Sequence, residues 1–332
     1  MITPFGLRHT LLVRDLPYDD SVADLRSMLA EPVTPLRAAL QGYFLGAHAG
    51  AFTYVLRAPG QQTTLCGYAQ ARVHAPSPAW SLVRMAPTLG GSEDAATVWY
   101  RLLLHLCIAA GEKGVQRLYA RLPADSPAEE VFRQAGFAIY THEQVFLGPT
   151  STGTGRQSPN LRPVRREDTW ELQRLHYRLT PRLVLQMEGA DEGTSGAQPW
   201  EALLPGAEQC GALYGQTGQM LACLCIASAS RGAWLRILVD PDAQSSTAEL
   251  VDHALFLARN DARRPLHCAV REYQGGIRAI LEERGFRQTE NYSLLVKHTT
   301  VRVREPARSR VHALEKRAEI APTVSRSRYT GP

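Results

Sequence analysis

The chain has 332 residues, 44% of them hydrophobic and 21% charged, the proportions of a globular protein long enough for two domains. Its formal net charge is +5, and residues 302–332 carry the whole surplus, with eight basic side chains against three acidic ones. The remainder is close to neutral, which argues against a nucleic-acid-binding core. The longest apolar run, residues 220–229, is too short for a bilayer, which needs ~20 residues. The opening Met-Ile-Thr-Pro-Phe-Gly lacks a basic-then-apolar secretion pattern, so a cytoplasmic protein with no membrane partner is expected.

In chain order, residues 7–13 read as a first strand. Residues 21–29 read as a helix with Leu25, Met28 and Leu29 on one face, and 35–45 as a second helix behind Pro32 and Pro35. Strands are expected at 52–57, 63–73 and 80–86, separated by turns at Pro59-Gly60 and Pro76-Ser77-Pro78. A turn at 87–91 leads into a long helix at 92–110. A strand at 117–122, a helix at 126–134, Gly136-Phe137 and a last strand at 143–147 complete the first half. Residues 148–160 are rich in Gly, Ser, Thr and Pro and have linker composition.

The same order then returns. A strand at 161–164, helices at 167–179 and 181–187, and an acidic loop at 188–196 precede strands at 212–214, 220–229 and 234–239. Residues 234–260 hold the sharpest pattern: an apolar strand, the turn Asp240-Pro241-Asp242-Ala243, then a helix opening on Ser246-Thr247-Ala248-Glu249, an S-x-x-E capping box. Leu250, Val251, Ala254, Leu255, Leu257 and Ala258 follow at helical spacing. A strand at 266–270, a helix at 276–284, Gly285-Phe286 and a strand at 292–297 finish the half. The segments Phe132 to Phe137 and Leu281 to Phe286 match in pattern at a domain-sized offset, which indicates an internal duplication. Each half is expected to hold its own sheet.

The six cysteines (66, 107, 210, 223, 225 and 268) form no C-x-x-C pair, and Cys223 and Cys225 sit in an apolar strand, so buried reduced thiols are expected. There is no H-E-x-x-H and no Cys/His set with zinc spacing, so no metal is expected.

This order of elements, with Val239-Asp240-Pro241 before the helix and a Gly-Phe pair after the last helix of each half, resembles the GNAT superfamily of acyl-CoA-dependent N-acyltransferases over about residues 5–148 and 160–300. The resemblance implies an α+β fold of two tandem GNAT-like domains, each a mixed, mostly antiparallel sheet flanked by helices. They would occupy 1–148 and 161–305, with a linker at 149–160 and a basic tail at 306–332. It implies acetyl-CoA or another acyl-CoA as co-substrate and a small-molecule or peptide amine as acceptor. The pantetheine arm would lie along the strand end at Leu238 and Val239. The pyrophosphate would sit on the turn and helix start at Gln244, Ser245, Ser246 and Thr247.

The family's turn reads Gln or Arg, two residues, Gly, one residue, then Gly or Ala. Gln244 matches the first place, but Thr247 and Glu249 stand at the small places; in the first half Gly90, Glu93 and Ala95 occupy them, and only Ala95 fits. A Cβ obstructs close approach of a pyrophosphate and a carboxylate repels it. Glu249 with Ser246 would instead cap the helix. The family's tyrosine acid stands four residues before its Gly-Phe, where this chain has Phe132 and Leu281. Tyr273, Tyr292 and Tyr140 are nearby substitutes, and Glu272 is the candidate base; the same residues also read as packed aromatics and an exposed loop carboxylate. Arg84 and Arg236 lie on the strands lining each cleft and would suit a carboxylate on the acceptor, while His176 and His253 read as core or surface histidines. Two functions follow: an N-acyltransferase working from the second half, which keeps Val239, Pro241 and Gln244, or a catalytically degenerate ligand-binding or assembly protein.

Overall fold

The computed structural model describes residues 1–19, 29, 33–46, 51–58, 65–74, 78–91, 93–149, 155–189, 208–258 and 265–299. The expected helix at 21–29 (except Leu29), the turns at 59–60 and 76–77, most of the acidic loop, residues 150–154 of the linker and the basic tail lie outside these residues. No described helix is long and apolar enough to cross a membrane.

The first half contributes β1 (Ile2–Pro4), α1 (Thr10–Asp15), α2 (Pro35–Leu45), β2 (Phe52–Ala58), β3 (Leu65–His74), β4 (Ala79–Ala86), α3 (Ala95–Glu112), β5 (Arg117–Pro123), α4 (Pro127–Gln134) and β6 (Ala138–Leu147). The second contributes β7 (Arg162–Pro163), α5 (Thr169–Leu179), α6 (Arg182–Glu188), β8 (Glu208–Tyr214), β9 (Met220–Ser228), β10 (Ala233–Val239), α7 (Thr247–Ala258), β11 (Leu266–Arg271), α8 (Ile277–Glu283) and β12 (Arg287–His298). The duplicated α+β order is therefore present. One expectation fails near the start: residues 7–13 form a short 3-10 turn, Leu7–His9, and then α1. Leu12, Val13 and Leu16 pack as a helical face against Leu36, Ala39 and Leu40 of α2, a spacing that strand-like composition concealed.

The expectation of separate sheets also fails. Among the described residues twelve strands form one sheet in the order β1-β2-β3-β4-β5-β12-β6-β11-β10-β9-β8-β7. The two halves have traded last strands. β12 pairs antiparallel with β5, from Tyr292↔Pro123 to His298↔Arg117, and β6 pairs antiparallel with β11, from His267↔Leu147 to Arg271↔Glu143. The traded strands also pair with each other at the centre. Their side chains follow: Leu295 of β12 packs in the first-half core with Trp99, Leu102 and Phe132, and Phe146 of β6 packs in the second-half core with Leu250, Leu255 and Leu281. The sheet runs on across the boundary expected at 149–160.

Helices cover both faces. α3 and α4 lie on one face of the first half, and α7 and α8 on one face of the second. On the other face α1 and α2 pack on the first half and α5 on the second, while Val184 and Met187 of α6 join a central cluster with Tyr119, Tyr140, Trp234 and Tyr292.

The cysteine expectation is corrected as well. Cys210 and Cys225 are bonded, with Cα atoms 4.1 Å apart. They stand directly opposite each other on adjacent strands β8 and β9, a register that sequence separation does not reveal. Cys66, Cys107, Cys223 and Cys268 are not in a disulfide. Burial pushes the Cys107 thiol up to about 11 and holds the Cys268 thiol well above the usual range.

Candidate functional site

The second half opens where its two parallel strands part. β10 and β11 pair from Ala233↔Leu266 to Leu235↔Cys268 and then separate. Beyond Leu235 the β11-facing edge of β10 has no strand partner among the described residues, although its other edge stays paired to β9 as far as Val239↔Ala222. The gap continues into a cleft of about 130 Å³ lined by Leu179, Val239, Gln244, Thr247, Tyr273 and Ile277, with Arg178, Pro241, Gln274 and Gly275 completing the wall.

Strand alternation decides which residues of β10 face the cleft. Ile237 and Val239 turn toward the α7 core, whereas Leu238 turns to the opposite face and packs with Leu175 and Cys223. Past Val239 the chain makes a 3-10 turn, Pro241–Ser246, that runs directly into α7. The expected capping box at Ser246 does not form, because Ser246 is already inside this continuous run. Asp240 is the cap: its Oδ1 accepts from the Asp242 amide at 3.0 Å, and its carbonyl accepts from the Ala243 amide at 2.8 Å. The Arg178 Nη2 lies 2.7 Å from Asp240 Oδ2 and donates to the Met220 carbonyl at 3.1 Å, which offsets the carboxylate beside the cleft.

The structure distributes the sequence candidates unevenly. Val239, Gln244, Thr247 and Tyr273 come together on the cleft wall. Ser245 is exposed and Ser246 half-buried on the turn, and neither reaches the wall. Thr247 is buried, so its Cβ fills the place where a glycine would let a phosphate approach. Glu249 departs from its expected effect. Its Oε1 accepts from the Ser158 hydroxyl and from Asn160 Nδ2, so its charge is turned to the 155–160 segment and away from the cleft. Glu272 also lies off the wall, 54% exposed, with Oε2 3.2 Å from His142 Nδ1. Tyr292 is buried in β12 with the Arg121 guanidinium 3.5 Å above its ring. Arg178, Leu179, Gln274, Gly275 and Ile277 are cleft residues that sequence reading missed. Arg178 carried no signal beyond a charge in a helix, and Gln274 lies in a Gln-Gly-Gly turn that reads only as a break.

The first half closes the equivalent gap with its own chain. β4 and β5 pair in parallel only from Ala79↔Arg117 to Ser81↔Tyr119. Beyond that point Asp19 forms an antiparallel bridge with Met85, its amide donating to the Met85 carbonyl at 2.9 Å. Met85 already pairs with Ala69 of β3, so Asp19 occupies the gap side. Its Oδ2 accepts from the Leu89 amide at 3.4 Å on the following turn, and Arg84 lies over the Tyr18 ring at 5.7 Å. The Asp19 backbone thus bridges the strand edge at Met85, and its carboxylate accepts from an amide of the turn.

Between the two gaps lies a buried charge network. Glu143 Oε1 accepts from Arg121 Nε at 2.9 Å and Nη2 at 2.8 Å, and its Oε2 accepts from Arg271 Nε at 3.1 Å. Arg271 Nη2 also donates to Glu188 Oε1 at 3.4 Å, and the Tyr140 hydroxyl donates to the same oxygen at 3.3 Å. Burial, and then the Glu188 charge, hold Tyr140 well above its ordinary range. On α5, burial followed by the charges of Arg236 and Arg271 lowers His176 to about 4, so the imidazole is neutral. Among the described residues no group of three His, Cys, Asp or Glu side chains is arranged to hold a metal.

Neither the protein-family models nor the curated proteins yield a match to this sequence. Solved structures do match in shape. A tandem GNAT protein from the clavulanic acid biosynthesis pathway, solved without AcCoA, superposes with a TM-score of 0.51 at 12% identity, covering 90% of this chain and 98% of its own. A GCN5-related N-acetyltransferase from Sphaerobacter thermophilus gives the same TM-score and identity, covering 90% of this chain and 95% of its own. The chain therefore has the fold of the tandem GCN5-related N-acetyltransferases.

Proposed function

We propose that this protein is an acyl-CoA-dependent N-acyltransferase that works from its second half, with acetyl-CoA or another acyl-CoA as co-substrate and a small-molecule or peptide amine as acceptor. The observation that carries this reading is the contrast, among the described residues, between the two strand gaps. The one at β10 opens into a cleft, and the one at β4 is filled by Asp19. The cleft residues suit the long arm of such a substrate: Val239, Leu179 and Ile277 give an apolar wall beside a strand edge to which no described strand pairs. Its phosphates would rely on Arg178 and the turn at Gln244 rather than on a glycine cradle, since Thr247 and Glu249 replace the small residues.

An acyl-CoA supplies an activated thioester when bound. The chain's part is to hold it, exclude water and move protons. Tyr273 is the candidate general acid, because it is the one sequence-nominated catalytic residue on the cleft wall. The halves 1–148 and 161–305 are read as one duplicated unit, the first of which keeps the fold and supplies β6 to the second.

Titration of the full chain with acetyl-CoA tests this. Saturable binding of one molecule per chain, weakened by Arg178→Ala and by Gln244→Glu, is expected. No heat and no thermal shift at millimolar acetyl-CoA would overturn it. A second reading, a ligand-binding module without chemistry, draws on Glu272 lying outside the cleft beside His142. It predicts the same binding with no turnover of any amine.

A further inference from the structure

The open edge of β10 is not empty of partners. Gln274, just past the end of β11, sends its side-chain amide into the gap, and its Nε2 donates to the Ile237 carbonyl at 3.0 Å. Ile237 sits two residues beyond Leu235, the last β10 residue paired to β11. Its carbonyl is therefore among the first strand groups left for a ligand on that side. The amide of Gln274 has the donor chemistry of one peptide unit of a missing strand. Its other end is tied down: Oε1 accepts from the Arg271 amide at 2.8 Å, while the Gln274 amide donates to the Arg271 carbonyl at 2.9 Å. Gly275 and Gly276 follow, and Gly276 has a φ of +82°, a conformation that other residues adopt only under strain. No heavy atom would lie within 4 Å of a Cβ added to Gly275, so there is room for this turn to shift outward.

We propose that Gln274 is an internal latch that competes with the incoming substrate for the edge of β10. An extended arm bearing secondary amides must displace the Gln274 amide from Ile237 before it can pair there. The inference rests on the reading of the cleft as an acyl-CoA site. Gln274 then discriminates by ligand chemistry: an amide-bearing arm regains the lost hydrogen bond, and an apolar chain of similar length does not. The same position in the first half is held by backbone, through Asp19 and Met85, which a side-chain rotation cannot release.

The test uses the full chain and three probes: coenzyme A, pantetheine, and adenosine 3′,5′-bisphosphate, which has no arm. Calorimetric titration compares the unmodified protein with Gln274→Ala and with Gln274→Glu, which keeps the side-chain length but cannot donate to a carbonyl when ionised. The latch predicts about three- to tenfold tighter binding of coenzyme A and pantetheine by both variants, the range expected for one hydrogen bond no longer broken on entry. Binding of the bisphosphate is expected to stay within twofold. Unchanged or weaker coenzyme A binding in both variants, with the unmodified protein still binding, overturns the latch and leaves the acyl-CoA reading intact. Absence of coenzyme A binding in all three proteins overturns the acyl-CoA reading, and the latch with it. A uniform gain for all three probes also overturns the latch, since it would reflect a general opening of the cleft. Circular dichroism and melting temperature establish that both variants fold.

Discussion

Glu143 is the residue on which the strand exchange can be tested most severely. It lies in β6, 1% exposed, and bonds to arginines on both sides of the exchanged pair. Arg271 stands directly opposite it on β11. Arg121 belongs to β5 and reaches it across the intervening strand β12, passing over the Tyr292 ring. Glu143→Gln keeps the shape and removes the charge. Arg271 keeps Glu188, but the buried group of Arg121, Arg271, Glu143 and Glu188 goes from neutral to a net positive charge. Removing one partner of a buried ion pair costs about 3–5 kcal/mol, a large part of the ~5–15 kcal/mol that holds most proteins folded. Urea unfolding of the full chain, followed by far-ultraviolet circular dichroism, should show an unfolding free energy lowered by that amount, read as a lower midpoint at an unchanged slope. The exposed pair Arg133–Glu130, 3.6 Å apart, is the control, and Arg133→Ala should cost under ~1 kcal/mol. Replacing Arg121 and Glu143 together by Met should recover part of the loss. A cost for Glu143→Gln no larger than the surface control would refute the claim that this network secures the exchanged strands.

Three further outcomes are expected. Tyr273→Phe should lower turnover by about 10²–10⁴-fold while acetyl-CoA affinity changes little, as measured by steady-state kinetics and calorimetry; equal turnover removes Tyr273 from the chemistry. Residues 1–148 made alone lack β12, which leaves β5 and β6 without their shared partner, so light scattering should find dimers or larger species and not a folded monomer. For His176 the folded value of about 4 lies below the unfolded ~6.5, so the folded state resists protonation. Its contribution is constant above pH ~6.5, shrinks as the pH falls, and below pH ~4 has cost up to roughly 3 kcal/mol of stability. His176→Gln should flatten the fall in urea midpoint between pH 7 and pH 4.5, and an unaltered slope would mean that other groups set it.

Much of this protein is written in local pattern. Apolar runs bounded by Gly and Pro marked β2, β3, β4, β5, β9, β10 and β11, and the spacing of Leu250, Val251, Ala254 and Leu255 marked α7. Repetition of that order in the two halves carried the resemblance to the GNAT superfamily, and it was this resemblance that implied the α+β fold and nominated Val239, Gln244, Thr247 and Tyr273 at the mouth of a strand running into a turn and a helix. Residues 7–13 misled because a short helix against a neighbouring helix and a half-buried strand place similar apolar residues in so few positions.

Pairing between distant segments was decided only in three dimensions. A strand's sequence records which of its faces is buried, since side chains alternate, but its edges are backbone and nearly identical from strand to strand. Nothing in residues 138–147 or 287–298 alone tells which edge each will join, so the exchange of β6 and β12 could not be read from them. The Cys210–Cys225 bond depends on the same register. Asp19 fills one strand gap and Gln274 reaches into the other, and neither gap exists until β4 has parted from β5 and β10 from β11. The sequence determined the elements and their buried faces; the fold determined which edges met, and so which gap became a cleft.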